Sequence, residues 1–129
     1  MTVLPFRSTG DLILIPARLR GKTGIDILAL LVLDTGATSS FVSWDVAVKL
    51  GYDPAAVPDR VRITTVSGIE YAPRITVARV SAIGVERTLF PVLCHTPPPT
   101  TTVDGVLGLD FFSGLRLTID FRAGLLSVD

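Results

Sequence analysis

An apolar run from Ile25 to Leu33 ends on Asp34, and the residues that follow are Thr35, Gly36 and Ala37. Few arrangements constrain a chain more. The composition of the run predicts a strand buried on both faces, which puts the Asp34 carboxylate at the edge of a low-dielectric core, where ionisation is costly. Gly36 lets the backbone turn sharply and another chain approach closely, and the Thr35 hydroxyl can cross-link neighbouring backbone. An acid placed in this way reads as a candidate catalytic carboxylate at a strand end. The plain alternative is an ordinary aspartate opening a loop, since the motif is short.

A second element lies far downstream. Asp104-Gly105-Val106-Leu107-Gly108-Leu109-Asp110 repeats the plan of apolar residues, glycine and then a helix. Asp-Thr-Gly-Ala after an apolar strand, with two apolar residues and a glycine downstream, resembles the retropepsin-type aspartic proteases, and the similarity spans most of the chain. The pattern is most similar to the retropepsin-like domain of the DNA-damage-inducible proteins and its bacterial relatives. Leu107-Gly108-Leu109-Asp110-Phe111 and Leu117-Thr118-Ile119-Asp120-Phe121 resemble their C-terminal segment. The retroviral enzymes match less well: they carry an acid two positions after the motif glycine and an arginine after the downstream one, where this chain has Thr38 and Leu109.

The resemblance implies an all-β fold with two short helices, a retropepsin-like acid-protease barrel with one lobe per chain. It also implies an aspartic endopeptidase in which two carboxylates share a proton around one water. Asp104 and Asp110 are the candidates for a partner within the chain, but the family pattern puts them in the second, non-catalytic element. The dyad then consists of Asp34 from two subunits of a homodimer, with an apolar interface near the termini, as in relatives whose terminal strands interleave. By the same resemblance Thr35 and Gly36 support the site, and Gly36, Ala37, Ser67, Gly68 and Ile69 meet a peptide or protein substrate. No metal or organic cofactor is implied. The competing reading is a catalytically silent dimeric module that keeps the fold for binding or scaffolding.

Composition narrows the field further. At 129 residues the chain suits one domain, 1–129, and is too short for two lobes; a domain of this size buries roughly two thirds of its unfolded surface. A hydrophobic fraction of 48% and a mean hydropathy of +0.55 fit a large core plus an apolar interface. No apolar stretch has the ~18 residues of a membrane span, and Met1 to Phe6 is unlike a signal peptide, so a cytoplasmic location is expected. Twelve basic and twelve acidic side chains cancel without clustering, which argues against nucleic acid or an acidic membrane as partner. One cysteine excludes an internal disulfide framework and fits a reducing compartment. With a single histidine, neither a protein-only zinc site nor most serine triads can be built, and the adjacent Cys94 and His95 read as structural or incidental.

Read in order, Asp11 to Arg20 and Gly24 to Asp34 form a hairpin around Gly21-Lys22-Thr23-Gly24. Ser43 caps a short helix through Leu50, with Gly51 ending it and Val42, Val46, Ala47 and Leu50 at helical spacing. Tyr52 to Pro58 is a loop. Arg60 to Val66 and Ile69 to Ile83 are strands around Ser67-Gly68, with Pro73 marking a bulge or edge, and this hairpin resembles the flap that closes over substrate in the family. Val85 to Leu93 is a further strand, the segment from Thr96 to Thr102 a stiff surface loop, and Arg116 to Phe121 with Leu125 to Val128 a last hairpin.

Overall fold

The computed structural model describes residues 1–7, 10–96 and 102–129. In chain order the strands are β1 (Thr2–Pro5), β2 (Leu14–Arg20), β3 (Asp26–Leu33), β4 (Phe41–Val42), β5 (Arg60–Thr65), β6 (Gly68–Ala82), β7 (Val85–Cys94), β8 (Gly105–Leu107), β9 (Leu117–Asp120) and β10 (Leu125–Val128). One helix, α1 (Trp44–Lys49), and one 3₁₀ turn, Leu109–Phe112, complete the described structure. The surface loop expected at 96–102 lies, from 97 to 101, outside the described residues.

Strands β2, β3, β8, β4, β7 and β6 pair in that order, and β6 pairs back onto β2 through Ala17↔Ala82 to Arg20↔Arg79. Six strands therefore close on themselves, and the fold is the mostly-β barrel expected, one lobe in the chain. The alternation that builds it is visible in β2, where Ile15, Ala17 and Leu19 point inward while Pro16 and Arg18 face out. Inside, Leu31, Val77, Val80, Leu107 and Phe111 are buried almost completely. Phe111 packs edge-on against Phe90 and Phe112 at ring separations of 5.9 and 5.2 Å, a favoured aromatic geometry.

The long strand β6 changes partner along its length. Residues 68–73 pair with β5 and residues 74–82 with β7. Pro73 sits at the change, buried, opposite Arg60. A residue without an N–H fits such a point, because no continuous ladder runs through it. The outer half of β6 and all of β5 thus form a two-stranded arm that leaves the barrel.

Several expectations shift. The run before Asp34 is buried on one face only: Ala29 and Leu31 point into the core, whereas Leu28 is 77% exposed because no second layer covers that side among the described residues. The second of the two expected helices is a single 3₁₀ turn, cut short by Ser113 and by Gly114 at φ +80°. The loop of the β5–β6 hairpin is Val66-Ser67, one residue earlier than expected, since Gly68 already pairs with Thr65. The helix after Ser43 forms as read: the Ser43 hydroxyl accepts from Val46 N at 3.1 Å, Gly51 has φ +92°, and Val42, Val46, Ala47 and Leu50 are all buried.

The terminal strands form a separate three-stranded sheet, β1-β10-β9, entirely within one chain. Thr2↔Val128 to Pro5↔Leu125 tie the two ends together. No helix among the described residues is long and apolar enough to cross a membrane.

Candidate active site

The two elements singled out in the sequence finish side by side. β3 and β8 run parallel, Leu33 opposite Leu107, and each is followed at once by a turn. Asp34 N donates to Leu107 O at 3.0 Å, which continues the ladder by one bond and fixes where the aspartate leaves the sheet. Beyond it the chain folds back: Ala37 N donates to Asp34 O at 3.2 Å, and Gly36 N donates to the Asp34 carboxylate at 2.9 Å. The carboxylate is therefore aimed by its own loop. It is exposed in the single chain, as are Thr35 and Gly36, so one chain does not supply the low-dielectric setting expected for it.

The loop is strapped to the second element by a buried polar cluster. The Ser40 hydroxyl donates to Asp110 Oδ1 at 2.6 Å and accepts from Gly108 N at 2.9 Å, and Ser40 N donates to the Asp110 carboxylate at 3.0 Å. Leu109 N donates to Ala37 O at 2.8 Å. Gly108 has to be glycine for this closeness, since a Cβ there would stand 2.6 Å from Ala37 O and 3.0 Å from Ser39 C. Arg87 holds the other end of the turn, donating to Phe111 O at 2.9 and 3.0 Å and to Ser113 O at 2.7 Å.

The three acids near the two turns differ in their partners. Asp110 is engaged by Ser40, and Asp104 Oδ2 accepts from Leu30 N at 2.8 Å. Both are structural acceptors. Among the described residues, Asp34 is the only acid lining a cleft of about 830 Å³ between its loop and the β5 arm. The walls are Ala37, Thr38 and Ser39 on the loop side, residues 61–66 on the arm side, and Phe41, Leu93 and His95 at one end. Of the residues expected at the site, the structure brings Asp34 and Ala37 to this cleft. Thr35 and Gly36 lie on the exposed loop beside it, and Ser67, Gly68 and Ile69 lie beyond Val66 at the tip of the arm.

Sequence reasoning missed Ser40, Arg62 and the apolar end wall of Phe41 and Leu93. It also treated Cys94 and His95 alike, and the strand separates them. Cys94 is buried, and burial pushes its thiol up to about 11, which leaves it an inert core residue at neutral pH. His95 lines the cleft, its ring edge-on to Phe41 at 5.6 Å and its Nδ1 3.3 Å from Glu70 Oε2. No group of metal-binding side chains occurs among the described residues.

The family model for aspartyl proteases matches residues 15–111, which run from β2 through the Asp34 loop to the turn after Gly108. The chain belongs to the aspartyl protease family. Its fold is similar to that of a retropepsin-like aspartic protease from Rickettsia conorii, with a TM-score of 0.70 and 22% identity, covering 96% of this chain and 86% of that one. No curated protein matches. This member of the family is thus a single retropepsin-like lobe whose matched segment contains both turn elements and the residues that line the cleft.

Proposed function

We propose that this chain is an aspartic endopeptidase whose active form is a homodimer, with Asp34 of each copy contributing one carboxylate to the dyad. The observation that carries the reading is the state of the acids: Asp34 stands exposed at the cleft and accepts from Gly36 N of its own loop, while Asp104 and Asp110 accept from Leu30 and Ser40, about seventy positions away, and so tie distant segments together. A second Asp34 is then the simplest source of the missing carboxylate. Thr35, Gly36 and Leu109, the last 50% exposed, are also open on the Asp34 side, where a second copy would cover them.

In the dimer, one carboxylate takes a proton from the water between the pair while its protonated partner hydrogen-bonds to and then protonates the amide. Two carboxylates that close cannot both ionise cheaply, so the pair titrates as a unit and works in its singly protonated form. Thr35 hydroxyls meeting across the twofold axis would steady the two loops. Substrate binds as an extended peptide. β5 ends the strand order, so its outer edge has no strand partner among the described residues, and residues 61–66 put that strand beside the cleft, an arrangement suited to strand addition. Gly36, Ala37, Ser67, Gly68 and Ile69 complete the contacts once the β5–β6 hairpin closes as a flap. A cytoplasmic setting fits the single reduced cysteine.

Incubation of the chain and its Asp34→Asn variant with denatured mixed proteins, alongside sedimentation over a dilution series, tests the proposal. Cleavage that disappears in the variant and falls as the dimer dissociates is the expected result. A folded wild-type dimer that cuts nothing would make the chain a silent binding module.

A further inference from the structure

Arg87 stands on β7 opposite Val80, outside the cleft and without an ion-pair partner among the described residues. Its guanidinium is spent on main-chain oxygens instead. Nε and Nη2 donate to Phe111 O at 3.0 and 2.9 Å, Nη2 donates also to Ser113 O at 2.7 Å, and the head group lies 6.0 Å from the centre of the Phe111 ring. These carbonyls stand at the end of the 3₁₀ turn Leu109–Phe112. So short a turn leaves its last carbonyls without partners of its own, and a cation is favoured at that end. Its internal bond, from Phe111 N to Gly108 O, is long at 3.3 Å, so the turn depends on what grips its ends. The planar fork of arginine fixes direction as well as distance, a control that the non-directional packing of Phe111 and Phe112 in the core does not supply.

The other end of the same turn grips the Asp34 loop. Leu109 N donates to Ala37 O, and Asp110 accepts from the Ser40 backbone and hydroxyl, whose oxygen accepts in turn from Gly108 N. The turn therefore connects Arg87 to the loop that carries the exposed carboxylate. Resting on the endopeptidase reading, we propose that Arg87 is a positioning residue for Asp34: its fork sets the rotation of the turn, the turn places Leu109 and Asp110, and these place the loop whose carboxylate must meet its counterpart in the second copy. Misplacing a reacting group by about 1 Å can cost about 10²-fold in rate, and in a pair each copy adds its own error. Without the fork, the loop keeps its bonds to Leu109 and Asp110, but the turn that bears them is free to shift.

The test compares Arg87→Met, which keeps the stem and loses the donors, with Arg87→Lys, whose ammonium keeps the charge but has no planar fork. Amide hydrogen exchange, followed by NMR on the unliganded proteins, reads the strap without reference to activity. In Arg87→Met the Ser40, Gly108 and Leu109 amides should exchange about tenfold faster than in the wild type, the scale of losing hydrogen bonds to a charged group, while amides of the β2–β6 pairing keep their wild-type rates. Cleavage of labelled unfolded casein, at a temperature where both proteins are folded and dimeric, should lose about tenfold in kcat with KM within about twofold, as expected when only the transition state feels the change. Arg87→Lys should recover part of both effects, and it carries the test if Arg87→Met fails to fold. Unchanged exchange at the strap, exchange raised equally throughout the barrel, or selective loosening with kcat unaltered overturns the assignment. Selective loosening in a chain whose wild type cuts nothing would instead overturn the peptidase reading and leave the coupling of Arg87 to the Asp34 loop standing.

Discussion

The Asp34 loop and the β5–β6 arm face each other across one cleft, yet they are built in opposite ways. The loop is tied to the turn after β8 by Ser40, Asp110, Gly108 and the Leu109 to Ala37 bond, and Ser40 is buried. The arm is held mainly at its base, where Arg74 pairs with Asp59 through two bonds of 2.8 and 3.1 Å and Pro73 marks its exit from the barrel. Its tip is open: Val66 is fully exposed, and Gly68, at φ +122°, has nothing within 4 Å of a would-be Cβ. A catalytic group must be placed to within fractions of an ångström, whereas a cover must open to admit a chain. On the proposed reading of Asp34 and the arm, the sequence meets the two needs with different chemistry, a largely buried polar cluster in one case and an arm with an open tip in the other.

The comparison can be broken first at Asp34. Asp34→Asn keeps volume and loop geometry but removes the ionisable proton, so peptide cleavage should fall by at least ~10²–10⁴ while thermal melts match the wild type. A melt lowered to the same degree as activity would mean that the carboxylate supports the loop rather than the reaction.

Ser40→Ala strikes the strap. It strands Gly108 N and weakens the hold on Asp110, a buried loss of about 1–3 kcal/mol, so denaturant unfolding and activity should decline together. Stability unchanged within error would show that the loop does not depend on the cluster.

The arm should respond the other way. Gly68→Val forces a β-branched side chain into a backbone conformation that suits glycine at a site with open space around it. Turnover should drop severalfold with only a small change in melting temperature. Equal kinetics would reduce the segment to a surface hairpin.

A smaller effect separates core from cleft at the adjacent Cys94 and His95. Burial raises the Cys94 thiol from an ordinary 9.0 to about 11. The unfolded chain therefore loses this proton first, and the stability it contributes is fully present below pH 9 and fades as pH rises towards 11. Melts of Cys94→Ala across that range should show a shallower alkaline decline than the wild type. Identical slopes would place the thiol in contact with water. Thiol alkylation of the native protein at neutral pH should leave cleavage unchanged.

Much of this architecture is legible without coordinates because it is local. Alternation marks β2, Ser43 and Gly51 bracket the helix, and the apolar run into Asp34 announces the end of β3. What could not be read depends on contacts between distant residues. Ser40 and Asp110 are 70 positions apart, and a hydroxyl meeting a carboxylate leaves no period in a sequence. The partial exposure of β3 was equally hidden, since a leucine-rich run reads the same whether one face or both are covered. The hairpin tip was misplaced by one residue because glycine there serves the first paired position of β6 instead of the turn itself. His95 was passed over because adjacency to Cys94 in sequence says nothing about opposite placement on the barrel.

The terminal sheet bears on how such a protein is switched. Because β1 pairs with its own β10, the proposed pair can form by docking of folded chains, without exchange of strands. Assembly then costs no unfolding and follows mass action alone. In dilute solution the amount of active pair rises as the square of chain concentration, so a modest change in expression becomes a larger change in proteolysis, a threshold that needs neither a propeptide nor an inhibitor.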